Sequence, residues 1–152
     1  MERIEKLKLA VKKGFTYCEK TGNIKSPTNK ICKKKTKNGY IMLTVRDENS
    51  FAYYVYGHQF AWFIMYNETV ALIDHKNRIK TDNRKDNLRS VTKSQNAMNQ
   101  SNVKGCSFDK KKSKFESYIN VDNKKIHLGW FASEAHAKNC YLENKNKYHI
   151  IN

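Results

Sequence analysis

Ile4, Leu7 and Val11 recur at helical spacing among lysines, so the chain is expected to open with a short amphipathic helix. The period then changes. Residues 15–17, 23–25, 40–45 and 51–56 read as strands, with Gly22-Asn23, Asn38-Gly39 and residues 47–50 supplying turns. From His58 to Tyr66 the apolar positions Phe60, Ala61, Phe63 and Ile64 return to helical spacing. Residues 70–73 read as a short buried strand that ends in Asp74-His75, and a polar stretch runs on to Asn87. Leu88 and Val91 return to the core, and Thr92 or Ser94 can cap a helix running through Ala97. Residues 99–103 are polar and read as a linker.

A second unit follows. Residues 103–108 are strand-like, residues 114–121 alternate strictly, Asp122-Asn123 turns, and residues 124–131 alternate again. Ser133 caps a helix from residue 134 to about residue 148 that carries Ala135, Ala137, Cys140, Tyr141 and Asn144. The tail is therefore expected to be three antiparallel strands on one helix. Alternation puts Phe115, Ser117, Ile119 and Val121 on one side and Lys114, Glu116, Tyr118 and Asn120 on the other. On the third strand Lys125 and His127 alternate with Ile126 and Leu128. The predicted class is α+β in two domains, 1–100 and 101–152, the second small enough that it is expected to lean on DNA or on the first.

Charge narrows the function. The 152 residues carry a formal net charge of +16, nearly all of it lysine. Such a charge repels itself unless a polyanion is the partner, which makes nucleic acid the first expectation and an anionic membrane surface the second. No run of 18 apolar residues exists, and the stretch from residue 51 to 66 is interrupted by Gly57, His58 and Gln59, so no membrane span or membrane partner is expected. Residues 1–6 lack an apolar signal-peptide core. An aromatic content of 12%, much of it alternating with polar residues, argues against a disordered basic tail. Cys18, Cys32, Cys106 and Cys140 have no zinc-knuckle spacing and read as reduced thiols packed like small hydrophobes, with structural zinc the alternative. The lysines at 30 and 33–37 lie on a loop between two strands, where a solvated face and a DNA role are both open.

Hydrolysis of a phosphodiester needs a group to take a proton from water and a divalent ion to neutralise phosphate and leaving-group charge. Asp74 and His75, at the end of a buried strand, offer a carboxylate and an imidazole, although neighbours on a strand point apart unless it ends or twists there. A lone Asp-His pair is weak. The longer string is specific: residues 72–89 read Leu-Ile-Asp-His-Lys-Asn-Arg-Ile-Lys-Thr-Asp-Asn-Arg-Lys-Asp-Asn-Leu-Arg, with Ser94-Gln95-Asn96 following. This resembles the HNH endonucleases, in particular the free-standing homing type of phages, over roughly residues 39–100, and His58-Gln59-Phe60-Ala61-Trp62 resembles the helix preceding the motif in that group.

The resemblance implies a ββα-metal fold gripping one Mg²⁺ or Mn²⁺ ion. It implies His75 as general base, Asp74 and Asn96 as metal ligands, and Asn87 as the residue that braces the loop and orients the histidine. It implies double-stranded DNA as substrate, 5′-phosphate and 3′-hydroxyl products, and a cytoplasmic site of action in a bacterial host; with one metal site per chain and no visible dimer seam, a monomer is expected to nick one strand. Arg84 and Arg89 can hold phosphates or structure the loop; Asn77, Asp82 and Asn83 read as turn formers and His58 as a helix-start residue. The sequence from Val103 to Tyr148 resembles the Apetala-type, ethylene-response-factor DNA-binding domain, whose sheet lies in the major groove. That makes the polar face, with Lys114, Tyr118, Asn120, Lys125 and His127, the candidate DNA face. The Arg and Trp common on that face in plant proteins are replaced here by Lys, Tyr, Asn and His, so bidentate guanine readout is largely missing.

A non-catalytic DNA-binding regulator on the same scaffold is the second reading, and an RNA-binding protein the third. Intact Asp74, His75 and Asn87 favour the enzyme, since a pure binder has no use for an unpaired carboxylate beside bound phosphate.

Overall fold

The computed structural model describes residues 1–93, 95–96, 105–121 and 124–148, and forms two compact units, Met1–Val91 and Thr92–Asn152. The candidate cap Ser94, the helix position Ala97, the linker 99–103 and the turn at Asp122-Asn123 lie outside the described residues. The fold is mixed α+β with small antiparallel sheets.

In the first unit, α1 (Arg3–Lys12) begins with a capping box in which the Glu2 N–H donates to the Glu5 carboxylate at 2.8 Å. Its buried residues are Leu7 and Ala10; Val11, expected to face inward, is exposed, because the core stripe drifts to the position before it. Strands β1 (Thr16–Tyr17) and β2 (Ile24–Lys25) pair, as do β3 (Met42–Arg46) and β4 (Ala52–Tyr56), whose alternation buries Leu43, Val45 and Val55. Helix α2 (Gly57–Tyr66) starts directly from β4 and ends at Asn67, which takes the left-handed conformation and donates its N–H to Phe63 O. Leu7, Ala10, Phe15, Ile24, Leu43, Val45, Val55, Phe60 and Phe63 form one core cluster, and Ala61, Trp62 and Leu88 a second. The second cluster joins α2 to the hairpin of β5 (Ile73–His75) and β6 (Leu88–Ser90), and so positions the Asp74-His75 segment. The strand expected over residues 70–73 begins only at Ile73 and takes in Asp74 and His75, because its partner β6 pairs with those residues.

In the second unit, β7 (Cys106–Asp109), β8 (Lys114–Val121) and β9 (Lys124–Phe131) form an antiparallel sheet in that order, with α3 (Glu134–Tyr148) against it. Ser133 caps the helix by accepting from the His136 N–H at 3.3 Å. Cys106, Ser117, Ile119, Ala137 and Tyr141 are buried, while Ala135 is exposed. Gly105 sits at φ +61 directly against the Tyr141 ring, where any Cβ would overlap it. Thr92 and Gln95 form a reciprocal capping box at the helical residues 93, 95 and 96: the Gln95 N–H donates to Thr92 Oγ1 at 3.2 Å and the Thr92 N–H to Gln95 Oε1 at 2.9 Å.

All four cysteines are free, and Cys18 is exposed rather than packed as expected, because it lies in the open turn after β1. Among the described residues no three His, Cys, Asp or Glu side chains gather as a zinc site would require. No described helix is long and apolar enough to cross a membrane.

Candidate active site

The β5–β6 register sets Asp74 opposite Arg89 and His75 opposite Leu88. Asp74 and His75 are both buried, so the strand does end with both side chains turned from solvent. Asp74 Oδ2 accepts from Arg89 Nε at 3.0 Å and from Nη2 at 2.9 Å, a forked cross-strand ion pair. The reading of Asp74 as an unpaired carboxylate is thereby corrected, because Arg89 is its direct partner across the hairpin. Of the two roles open to Arg89, holding a phosphate or holding structure, its contacts are those of structure.

The His75 ring is fixed from several sides. Its Nε2 lies 3.2 Å from Asn83 Oδ1. An amide oxygen only accepts, so Nε2 carries the proton and the lone pair of the neutral ring falls on Nδ1. Burial lowers the His75 pKa; the Asn83 bond and the Asp74 charge oppose it, and lowering prevails. The imidazole is thus held neutral at pH 7, as a base requires.

Asn83, read as a turn former, is only 1% exposed, and its side chain meets the His75 ring. It is locked in place by Tyr17 on β1, whose hydroxyl donates to Asn83 O at 2.8 Å, and by Gly22. At φ +71, Gly22 packs so closely that an added Cβ would lie 2.6 Å from Arg84 N and 2.8 Å from Asn83 C. Tyr17's phenol is pushed well above its ordinary pKa by burial and by nearby Glu19, so it remains a donor. A hydrogen bond to the imidazole was expected from Asn87; the bond at Nε2 comes from Asn83, since the amide of Asn87 is directed at the loop. Asn87 Oδ1 accepts from the Asn77 N–H at 3.0 Å, and Nδ2 donates to Asp82 O at 2.7 Å. The Asn87 backbone oxygen accepts the Lys76 N–H at 2.9 Å, so this residue ties both ends of the loop together, as a brace would.

Asn77 and Asp82 are turn formers as expected: Asn77 Oδ1 accepts the Ile79 N–H, and Asp82 Oδ1 the Arg84 N–H. Arg84 forks onto Asp82 at 2.9 and 2.7 Å, which pulls the Asp82 pKa down to about 2, while the arginine side chain remains more than half exposed. Asn96 lies half-buried on the helical turn after Val91, its N–H donating to Thr92 O at 3.0 Å.

His58 is the second residue of α2, as expected, but it also packs against the site. Its ring centroid lies 5.4 Å from that of His75, 5.1 Å from Tyr40 and 5.5 Å from Tyr56. Burial, with smaller effects from His75 and Arg3, lowers its pKa to about 3, so it too is neutral at pH 7. The signal for this contact is weak in sequence, because it joins a helix to a strand 17 positions later only through the fold.

On the second unit's sheet, β8–β9 pairing sets Tyr118 opposite His127 and Asn120 opposite Lys125, all on the face expected. Lys114 stands at its end, opposite Asp109. Glu116 binds Lys125 Nζ at 2.6 Å and His127 Nδ1 at 3.1 Å, and Lys125 Nζ sits 4.3 Å above the Tyr118 ring. The expectation that no tryptophan stands on this face is corrected. A bulge after Ser117 shifts the register, so Trp130 pairs with Glu116, packs 5.2 Å from His127 and carries Lys112 Nζ 3.9 Å above its ring.

Residues 70–98 match the family model of the HNH endonucleases, a span that begins before β5 and runs past Asn96. No curated protein and no solved structure matches the chain. The matched segment contains Asp74, His75, Asn83, Asn87 and Arg89, and the family model points to nuclease activity on DNA.

Proposed function

We propose that this protein is a metal-dependent DNA endonuclease of the homing type, with residues 1–100 as the nuclease unit and 101–152 as an Apetala-type DNA-binding unit. The observation that carries this reading is the His75 imidazole, buried, neutral at pH 7 and fixed at Nε2 by Asn83. In the reaction, Nδ1 of His75 takes a proton from a water whose oxygen attacks phosphorus. The P–O3′ bond breaks, the 3′ oxygen takes a proton from solvent, and 5′-phosphate and 3′-hydroxyl ends result.

Asp74 and Asn96 are the residues assigned to an ion. One buried carboxylate plus one amide oxygen suits a hard ion such as Mg²⁺ or Mn²⁺, which draws its other ligands from water and phosphate. When bound, that ion neutralises charge on the phosphate and the leaving oxygen. Arg89 already compensates the Asp74 charge, so we expect ion binding to tighten only when DNA is present. On this reading the β5–β6 hairpin would provide the two strands of a ββα core, with Asn87 as the brace of its loop. Lys114, Tyr118, Asn120, Lys125 and His127 face the DNA on the second unit, and one chain nicks one strand inside the host cytoplasm.

The forked Asp74–Arg89 pair favours one other reading, a DNA-binding regulator in which Asp74 is structural, since the argument from an unpaired carboxylate falls. Supercoiled plasmid incubated with Mg²⁺ or Mn²⁺, against an EDTA control, separates the two. Conversion to relaxed circle supports the nuclease. Uncut plasmid that the protein nonetheless binds overturns it and leaves the regulator.

A further inference from the structure

Beside the His75 loop lies a groove of about 470 Å³, lined by Lys20, Lys76, Asn77, Arg84, Asp86 and Asn87. Its lining carries three cations against one carboxylate and no aromatic or aliphatic side chain. Such a lining suits an anion and offers little to an apolar ligand.

Two features make the groove a built one. First, Lys20 is brought there from 56 positions before Lys76, and the turn that carries it is pinned twice. Lys85 donates to Glu19 through its backbone N–H at 3.2 Å and through Nζ at 2.9 Å. Gly22, on the other side of Lys20, packs against the backbone of Asn83 and Arg84. Second, two nearby carboxylates outside the lining are occupied. Glu19 is taken by Lys85 and Asp82 by Arg84, whereas among the described residues neither Lys20 nor Lys76 is paired with a carboxylate. Both lysines are exposed.

The groove is also attached to the reacting residue. Lys76 follows His75 directly, a Cα step of about 3.8 Å. Asn87, which ties Lys76 and Asn77 to β6, forms part of the wall. Phosphates along one DNA strand recur every ~3.4 Å of helix axis, so a phosphate adjoining the one at His75 falls within reach of such a groove.

We propose that this groove is a binding site for the phosphodiester backbone of duplex DNA, with Lys20 and Lys76 contacting a phosphate next to the scissile one and Arg84 at its margin. The proposal rests on the nuclease reading for its geometry, but its test does not require cleavage. Asp86 opposes the ligand's charge, which gives the site a variant of opposite sign.

The experiment is binding of a fluorescent duplex by the full chain in EDTA, followed by anisotropy across a salt series. Lys20→Ala and Lys76→Ala are each expected to weaken binding several-fold and to lower the slope of log affinity against log salt by about one. Asp86→Asn is expected to tighten binding. Lys8→Ala, an exposed lysine on α1, removes the same charge elsewhere and is the control, with thermal unfolding run on every variant. Groove variants that match Lys8→Ala overturn the groove, even if the wild type cuts plasmid. A wild type that binds but does not cut overturns the nuclease reading alone, and the slopes still judge the groove. A wild type that does not bind duplex, or that prefers an RNA hairpin, overturns the DNA-backbone assignment.

Discussion

Asn83 Oδ1 accepts a hydrogen bond from His75 Nε2 at 3.2 Å, and this contact decides which imidazole nitrogen is basic. Asn83 is held by Tyr17 and Gly22, so the tautomer is set by a strand far from the motif in sequence. Asn83→Ala is expected to lower kcat by about 10- to 100-fold, the range seen when partners that orient a functional histidine are lost. Asn83→Asp should behave differently. A carboxylate favours the imidazolium, so the acid limb of the pH–rate profile should move to higher pH. Plasmid nicking from pH 5 to 9 reads both effects; an unchanged profile in Asn83→Asp would contradict the account.

Arg89 forks onto Asp74 with both side chains largely buried. Arg89→Ala leaves that carboxylate without its cross-strand cation and is expected to cost about 3 kcal/mol of stability, the scale for breaking a buried pair. The same change exposes the Asp74 charge to an ion, so Mg²⁺ uptake by the DNA-free protein should rise. Urea unfolding and calorimetry measure the two, and Arg89→Lys, which keeps the charge and loses the fork, should fall between.

His58 gives a pH prediction. Its pKa is about 3 folded, against about 6.5 for an ordinary histidine. Between those values the unfolded chain binds a proton that the folded chain does not. Stability should therefore be complete above pH 6.5 and decline as pH falls towards 3, by about 1.4 kcal/mol per pH unit for this group. His75, lowered in the same direction, adds to the decline. His58→Phe should flatten the dependence, as read by urea midpoints at pH 7, 6, 5 and 4.

Much of the molecule was legible in the sequence, and what was not has a physical cause. The long strands β8 and β9 and helix α2 follow from strict alternation and from helical spacing, which burial of one face enforces. Asn87, expected to brace the loop, makes its side-chain contacts with Asn77 and Asp82 in that loop. The partners of Asp74 and His75 depended on register. Arg89 meets Asp74 only because β5 and β6 pair with 74 opposite 89, and Asn83 meets His75 only after the loop folds back. Trp130 escaped the alternation argument because one bulge reverses the parity of β9, a feature that no periodicity encodes.

Glu116 lies among the basic side chains of the sheet face and binds two of them, Lys125 and His127. It competes with phosphate for both. Glu116→Gln is therefore expected to strengthen duplex binding at low salt and to steepen its salt dependence, whereas Lys125→Ala should weaken binding and lower the slope by about one. Anisotropy titrations at several salt concentrations test this pair of opposite shifts.

The central claim is that His75 is the base that activates water. Its most direct test is the single-turnover rate of supercoiled plasmid nicking in Mg²⁺ by the wild type and by His75→Ala, with and without added imidazole. The account predicts nicking by the wild type, a loss of about 10²-fold or more in His75→Ala, and partial recovery with imidazole while DNA binding is unchanged. Equal rates for the two proteins would contradict it.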